Sequence, residues 1–398
     1  MTSNYVYLVS LVFLVYLVYK QRCQARTEIA CRPSRQSRPS GLSRRSSLRV
    51  RFIPVILALS VAVVGCEVRR TPAPESTRQL QVVGVRRIMD RPALSPAAWS
   101  PDSQALAYSS DQRLWVYTLD RGEKDVAPAE AVTAVAWSRP LNLLALIDRG
   151  IVWTLRPDGT DRRRVPLPEP AVELAWAPGS DRLAVVVRHP VDGQIRTELW
   201  LVNHDGGFRR MVTRAPVGRA MRDLQWFPDS LYMLYGLSAG REQAMTELWR
   251  VRISYPDRQQ ILLPAPAAMV RLAPTGRYLA TVGGDQGAEG GGQVVLSRVD
   301  GSGRFAVAPQ AGRYTGLAWS PQGEKVVFAQ LSGDARAELW MANADGSGHL
   351  HLYSYLMEYT DPGMGVAIAW SPDGRHLVFG TNTGASRGPI WLVTLQRR

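Results

Sequence analysis

Cysteine is almost missing from this chain, and histidine nearly so. Its three cysteines, Cys23, Cys31 and Cys66, all lie within the first 66 of 398 residues. No disulfide can brace the chain beyond Cys66, so that part must hold by packing alone. Of five histidines only His349-x-His351 are close-spaced, and no His/Asp/Glu trio stands at ligand spacing. The glycine run Gly290-Gly291-Gly292 lacks the Lys-Ser/Thr of a phosphate loop. Two G-x-S-x-G matches, at Gly236–Gly240 and Gly384–Gly388, sit in variable segments with no room for the helix that a nucleophile elbow opens. The sequence therefore predicts no catalytic residue, no metal and no cofactor, and a protein that is not an enzyme.

Positive charge is abundant but misplaced for nucleic acid. The net charge is +14, yet residues 1–77 hold twelve basic residues against only Glu28, Glu67 and Glu75. The remainder is mildly basic, so a nucleic-acid surface is not expected. Long apolar runs are also confined to the beginning, at residues 4–19 and 52–65.

What is abundant is a repeat. Ala369-Trp370-Ser371-Pro372-Asp373-Gly374 has weaker copies at Trp99, Trp137, Trp176, Trp226 and Trp319, with Leu272 in a degenerate one. These positions advance by 38, 39, 50, 46, 47 and 51 residues. A period in the forties that holds several short apolar runs is the signature of a β-propeller with one blade per repeat. In each copy a strand ends at the Trp, and Pro with Asp, Gly or Ser makes a tight turn. A second apolar run comes next, and then a third that contains Trp115, Trp153, Trp200, Trp249, Trp340 or Trp391. Four repeats turn next on Asp-Gly, at Asp158, Asp205, Asp300 and Asp345, a hairpin signal. The 12 tryptophans divide into six at the first position and six in the third run, with none left over. That division predicts blade-structural roles for all of them. The expected fold is all-β: a seven-bladed propeller of four-stranded antiparallel blades over residues 79–398.

The Trp-Ser-Pro-Asp-Gly turn followed by Leu-Trp and Asp-Gly resembles the TolB-like (WSPDG-type) β-propeller repeat family, which also occurs beside prolyl-oligopeptidase-type enzymes. The resemblance covers residues 80–398 and implies a fold more firmly than a function. Members of the TolB type carry an additional N-terminal α/β domain. Here few residues separate Cys66 from the first repeat, so a Tol–Pal role is not implied.

Arg49 and Arg51 precede an apolar core that ends in Val63-Val64-Gly65-Cys66, so residues 48–66 read as a signal peptide. The ending resembles the bacterial lipobox, which implies lipidation at Cys66 and an envelope protein anchored to a membrane on its extracytoplasmic side. Otherwise the segment is a plain membrane anchor. Residues 1–47 read as a mis-assigned extension, with translation starting near Leu48 or Val50, or else as a short span followed by a basic disordered stretch. Residues 67–78 form a tether.

The last repeat stops after its third run, and residues 79–88 look like an orphan strand. They are expected to complete the last blade and close the ring. The long connections between second and third runs, such as His189–Arg196 and Ser238–Met245, mark the expected working face. The stretch from Tyr353 to Met364 gathers Tyr355, Met357, Tyr359 and Met364. That composition suits a partner-binding loop; the other reading is that these side chains cap the core between the last two repeats. The resulting expectation is a monomeric, non-enzymatic envelope lipoprotein that binds a protein or glycan partner. The alternative is a secreted carbohydrate-active enzyme, a lyase or hydrolase, with its site at the channel mouth.

Overall fold

In the computed structural model the described residues are 80–89, 97–168, 170–239, 245–263, 267–283, 292–308, 312–332, 336–356, 365–382 and 387–397. The leader with Cys66 and the tether lie outside them, as do Met357, Tyr359, Met364 and Ser386. The described residues form strands and turns, with no helix among them.

The chain begins with β1 (Leu80–Met89). The first sheet comes next: β2 (Ala98–Trp99), β3 (Ala105–Ser110), β4 (Arg113–Thr118) and β5 (Gly122–Pro128). The second has β6 (Val132–Trp137), β7 (Leu144–Asp148), β8 (Ile151–Leu155) and β9 (Arg163–Arg164). Then come β10 (Ala171–Trp176), β11 (Arg182–Val191), β12 (Gln194–Asn203) and β13 (Arg209–Arg214). The fourth sheet is eight-stranded. It combines β14 (Arg219–Trp226), β15 (Tyr232–Ala239), β16 (Met245–Arg252) and β17 (Tyr255–Leu263) with β18 (Ala267–Leu272), β19 (Tyr278–Gly283), β20 (Gln293–Arg298) and β21 (Phe305–Ala306). A single register pair, Met245 opposite Ala267, joins its halves. Another four-stranded sheet has β22 (Arg313–Trp319), β23 (Lys325–Leu331), β24 (Arg336–Asn343) and β25 (Leu350–Leu356). The last has β26 (Gly365–Trp370), β27 (His376–Asn382) and β28 (Arg387–Arg397), with β1 antiparallel to β28 on its outer edge. Leu80 stands opposite Arg397.

The second strand of a sheet is buried on both faces, as in β3 and β7, where every residue is buried. Such strands read as mainly apolar runs rather than alternating ones because a neighbouring sheet covers each side. Apolar clusters therefore lie between sheets. One joins Ile147 and Val152 to Val185 and Val187. Another joins Met89, Trp99 and Tyr108 of the start to Val378, Ile390 and Leu392 of the end.

The repeated turn has a polar reason for its serine. Ser371 is fully buried, donates to Asp373 Oδ1 at 2.5 Å and accepts the His376 amide at 2.9 Å. Ser100 does the same with Asp102 at 2.5 Å and the Ala105 amide at 2.8 Å. The hydroxyl and carboxylate thus satisfy amides that the tight turn leaves unpaired. The Ser100 bond, more than any other contact, holds the Asp102 carboxyl below the usual range. Gly374 closes its turn at φ +73°, a conformation that favours glycine.

Two expectations need correction. His189–Arg196 is not a long loop: β11 and β12 run on as a ladder to Val191 opposite Gln194, turning on Asp192-Gly193 with φ of 50° and 74°. Both central residues at positive φ mark the type I′ hairpin that matches strand twist. Tyr355 does not stand on an exposed loop either. It lies within β25, is 8% exposed, and its ring sits 4.9 Å from that of Phe379. Burial raises its phenol pKa.

Candidate functional site

The first strands of successive sheets lie side by side: β2, β6, β10, β14, β18, β22 and β26 in turn, with β26 also beside β2. Apart from the Met245–Ala267 link they belong to separate sheets. Each is thus an edge strand whose outward amides and carbonyls need partners. Side chains provide many of them.

The first-position tryptophans form one series of such contacts. Trp176 donates its indole N–H to Ala136 O at 3.3 Å, Trp226 to Ala175 O at 3.0 Å, and Trp319 to Arg271 O at 2.9 Å. The acceptor is each time the residue just before the equivalent position of the preceding repeat. Trp99 makes the same bond, at 3.3 Å, to Ala369 of the last repeat. Trp137 turns instead to its own Asn142 at 2.8 Å. The third-strand tryptophans are served within their own sheets. Trp200, Trp249 and Trp340 donate to Glu198, Glu247 and Glu338, two residues earlier, at 3.1, 2.8 and 3.3 Å. Trp115 donates to Ser110 O, Arg162 lies 4.5 Å over Trp153, and the Trp391 ring stacks 6.3 Å from Phe379.

Ionisable groups converge on three of the first strands. Glu173 on β10 accepts the amides of Asp223 and Leu224 on β14 at 3.3 and 3.0 Å. A bulge between Arg222 and Gln225, with Asp223 at φ +53°, turns those amides outward. Asp223 in turn accepts the Val270 amide and Arg271 Nη1 of β18, both at 3.3 Å. Gln225 donates to Val270 O and accepts the Leu272 amide, at 2.9 and 2.8 Å. Arg222 Nε donates at 3.0 Å to Ser238 Oγ, which is fully buried. Ser238 thus has an arginine at its hydroxyl and lies within strand β15 rather than on an elbow. Apart from Ser238, the serine of the first G-x-S-x-G match, none of these polar residues was singled out by sequence reasoning. The available signal was an acid three residues before Trp176 and Trp226, where other repeats carry Ala134, Met269, Gly316 and Ala367.

Burial pushes the Glu173 carboxyl up to about 7, and the Asp223 charge adds to the rise while the Leu224 amide opposes it. The folded state thus holds this proton more tightly than the unfolded chain. The stabilising contribution is full below the unfolded pKa of about 4.5 and disappears as pH rises through about 7. Glu173→Gln keeps an acceptor for Leu224 and removes the buried charge. Its unfolding free energy should match that of the parent near pH 4 and exceed it at pH 8, by about 3 kcal/mol at most. Urea melts at both pH values check this; a variant that is weaker at pH 8 would show that the charged carboxylate is the better acceptor.

The histidines stand apart. His349 bonds Val307 O, His351 bonds Ser354 at 2.9 Å, and His376 stacks on Trp99 at 6.1 Å. His189 lies 3.4 Å from Glu198. Among the described residues no three His, Cys, Asp or Glu side chains stand close enough to hold a metal ion.

No protein-family model matches the sequence, and no curated protein does. Solved structures do resemble it. An oligogalacturonate lyase in complex with manganese aligns with a TM-score of 0.62 and 10% identity over 79% of this chain and 95% of its own. The hydrazine synthase of Kuenenia stuttgartiensis aligns with a TM-score of 0.57 and 13% identity over 79% and 97%. TolB from Acinetobacter baumannii aligns at 0.45 and 15% identity over 67% and 64%, too loosely to carry an argument. At such identities the likeness speaks for the fold alone. The chain is an all-β protein of β-propeller type.

Proposed function

We propose that this chain is an envelope lipoprotein, anchored through Cys66, whose closed seven-bladed propeller works by binding a protein or glycan partner rather than by catalysis. Ring closure is supported by β1 on β28, by the Trp99–Ala369 bond that repeats the contact of other blades, and by β2 beside β26. One observation carries the non-catalytic reading. The carboxylates gathered on the first strands, Glu173 and Asp223, already hold backbone amides of the neighbouring strand. A general acid or base must reach substrate, and the bonds that these two carboxylates make are to the neighbouring strand.

The second reading, a carbohydrate-active enzyme, draws on the same Glu173, because a carboxyl with a pKa of about 7 suits proton transfer at neutral pH. Mass spectrometry of the mature N-terminus from a membrane fraction, followed by crosslinking in intact envelopes, tests the proposal. An acylated Cys66 with a discrete crosslinked partner supports it. A soluble, unlipidated product that cleaves acidic glycans, and loses that activity in Glu173→Gln, would overturn it.

A further inference from the structure

Between the two halves of the eight-stranded sheet lies a cleft of about 470 Å³, lined by Arg250, Gln260, Arg277, Tyr278, Arg298 and Asp300, with Leu262 and Val299 also in its wall. Three guanidiniums face a single carboxylate. Asp300 is itself engaged, accepting the amide and hydroxyl of Ser302 at 2.9 and 2.6 Å. Arg250 is held in place. It donates to Gln260 Oε1 at 2.6 Å and lies 5.0 Å over the Tyr232 ring. Among the described residues neither Arg277 nor Arg298 has a carboxylate within ion-pair distance, and both are exposed. Gly276, at φ +69°, shapes the floor: a Cβ there would meet Pro228 of the preceding turn at 3.0 Å.

We infer that this cleft is a binding site for a small anionic ligand bearing a phosphate or carboxylate group, of roughly monosaccharide size. Arginine presents a planar fork that matches two oxygens of such a group at once. Here Arg250 is pre-positioned, Arg277 has no carboxylate within ion-pair distance among the described residues, and Arg298 shares only the charge of Asp300. An anion therefore gains charge-assisted bonds that exceed the cost of ordering the two exposed side chains. The buried walls of Leu262 and Val299 give the uncharged body of the ligand an apolar contact. The site is separate from the first-strand cluster and does not depend on the lipoprotein reading.

Inorganic pyrophosphate, titrated into the purified full chain at fixed ionic strength, is the first probe. The thermal midpoint of the parent should rise with pyrophosphate. The double variant Arg277→Gln/Arg298→Gln should bind at least about tenfold more weakly. Both side chains are exposed, so the variant should fold like the parent, and the control pair Arg139→Gln/Arg209→Gln, exposed and away from the cleft, controls for the two lost charges alone. Vesicles with and without phosphatidylglycerol separate the two sources of phosphate. If the parent binds the anionic vesicles better than the double variant does, and pyrophosphate competes, a lipid headgroup enters the same cleft. If only free pyrophosphate distinguishes the proteins, the ligand is soluble. Equal behaviour of parent and double variant toward both probes overturns the inference.

Discussion

Deleting residues 80–89 is expected to unfold the protein rather than trim it. β1 covers most of the outer edge of β28, from Leu80 opposite Arg397 to Met89 opposite Ile390. Met89 is 2% exposed and belongs to the cluster that binds Trp99 and Tyr108 to Val378 and Leu392. Leu80, Val82 and Val85 pack on the neighbouring cluster around Phe379. Removing the strand would bare an edge of β28, uncover two apolar clusters and loosen the junction between the first and last sheets. The loss should be on the order of 5 kcal/mol or more, comparable with the whole stability of a typical domain. A truncation beginning at Asp90 should therefore aggregate or melt far below the parent by circular dichroism. A circular permutant that joins residue 397 to residue 80 through a short flexible linker should melt no lower than the parent, because the register already brings those ends together. A truncated chain with the parent's midpoint would mean that β1 is dispensable and the ring proposal wrong.

The second large effect concerns the indole relay. Trp319 is 7% exposed, and its N–H reaches Arg271 O at 2.9 Å. Trp319→Ala should cost about 3–5 kcal/mol, since a large buried ring leaves a cavity that the sheets cannot close. Trp319→Phe retains most of the apolar area and loses the bond, at about 1 kcal/mol together with an unpaired carbonyl. Trp370 is the internal control. It is 9% exposed, but its indole nitrogen is buried with no acceptor among the described residues. Trp370→Phe removes a donor that has no bond to lose, so it should cost clearly less than Trp319→Phe. Equilibrium urea unfolding of the four proteins reads all of this. Equal losses for the two Phe variants would mean that the tryptophans matter only as apolar volume.

Much of this architecture was open to reading along the chain. The turn motif, the two tryptophan positions and the Asp-Gly hairpins are local, each set by a few adjacent residues. The segment from His189 to Arg196 misled because proline and glycine suggest a loop, whereas two residues at positive φ let the ladder continue through it. Of the two readings of Tyr355, partner-binding loop or core cap, the structure takes the second. Its neighbours look like an exposed loop, yet the strand pairing with Ala337 carries it under the last sheet. The first-strand cluster escaped altogether. Glu173, Asp223 and Arg271 are spaced by about fifty residues, and the acid before Trp176 and Trp226 does not reveal which strand it pairs with.

The division reflects the range of the forces. The sequence by itself determined the repeat, the strand and turn within each repeat, and the all-β class, because period, turn chemistry and apolar runs act over a few residues. Only the tertiary structure decided which edge groups meet. Trp99 finds Ala369 across 270 positions, and the carboxylates of one strand find the amides of the next. Those pairings exist because separate sheets leave edge backbone groups unpaired in the interior. The nearest side chain able to satisfy them is chosen by packing, not by sequence proximity.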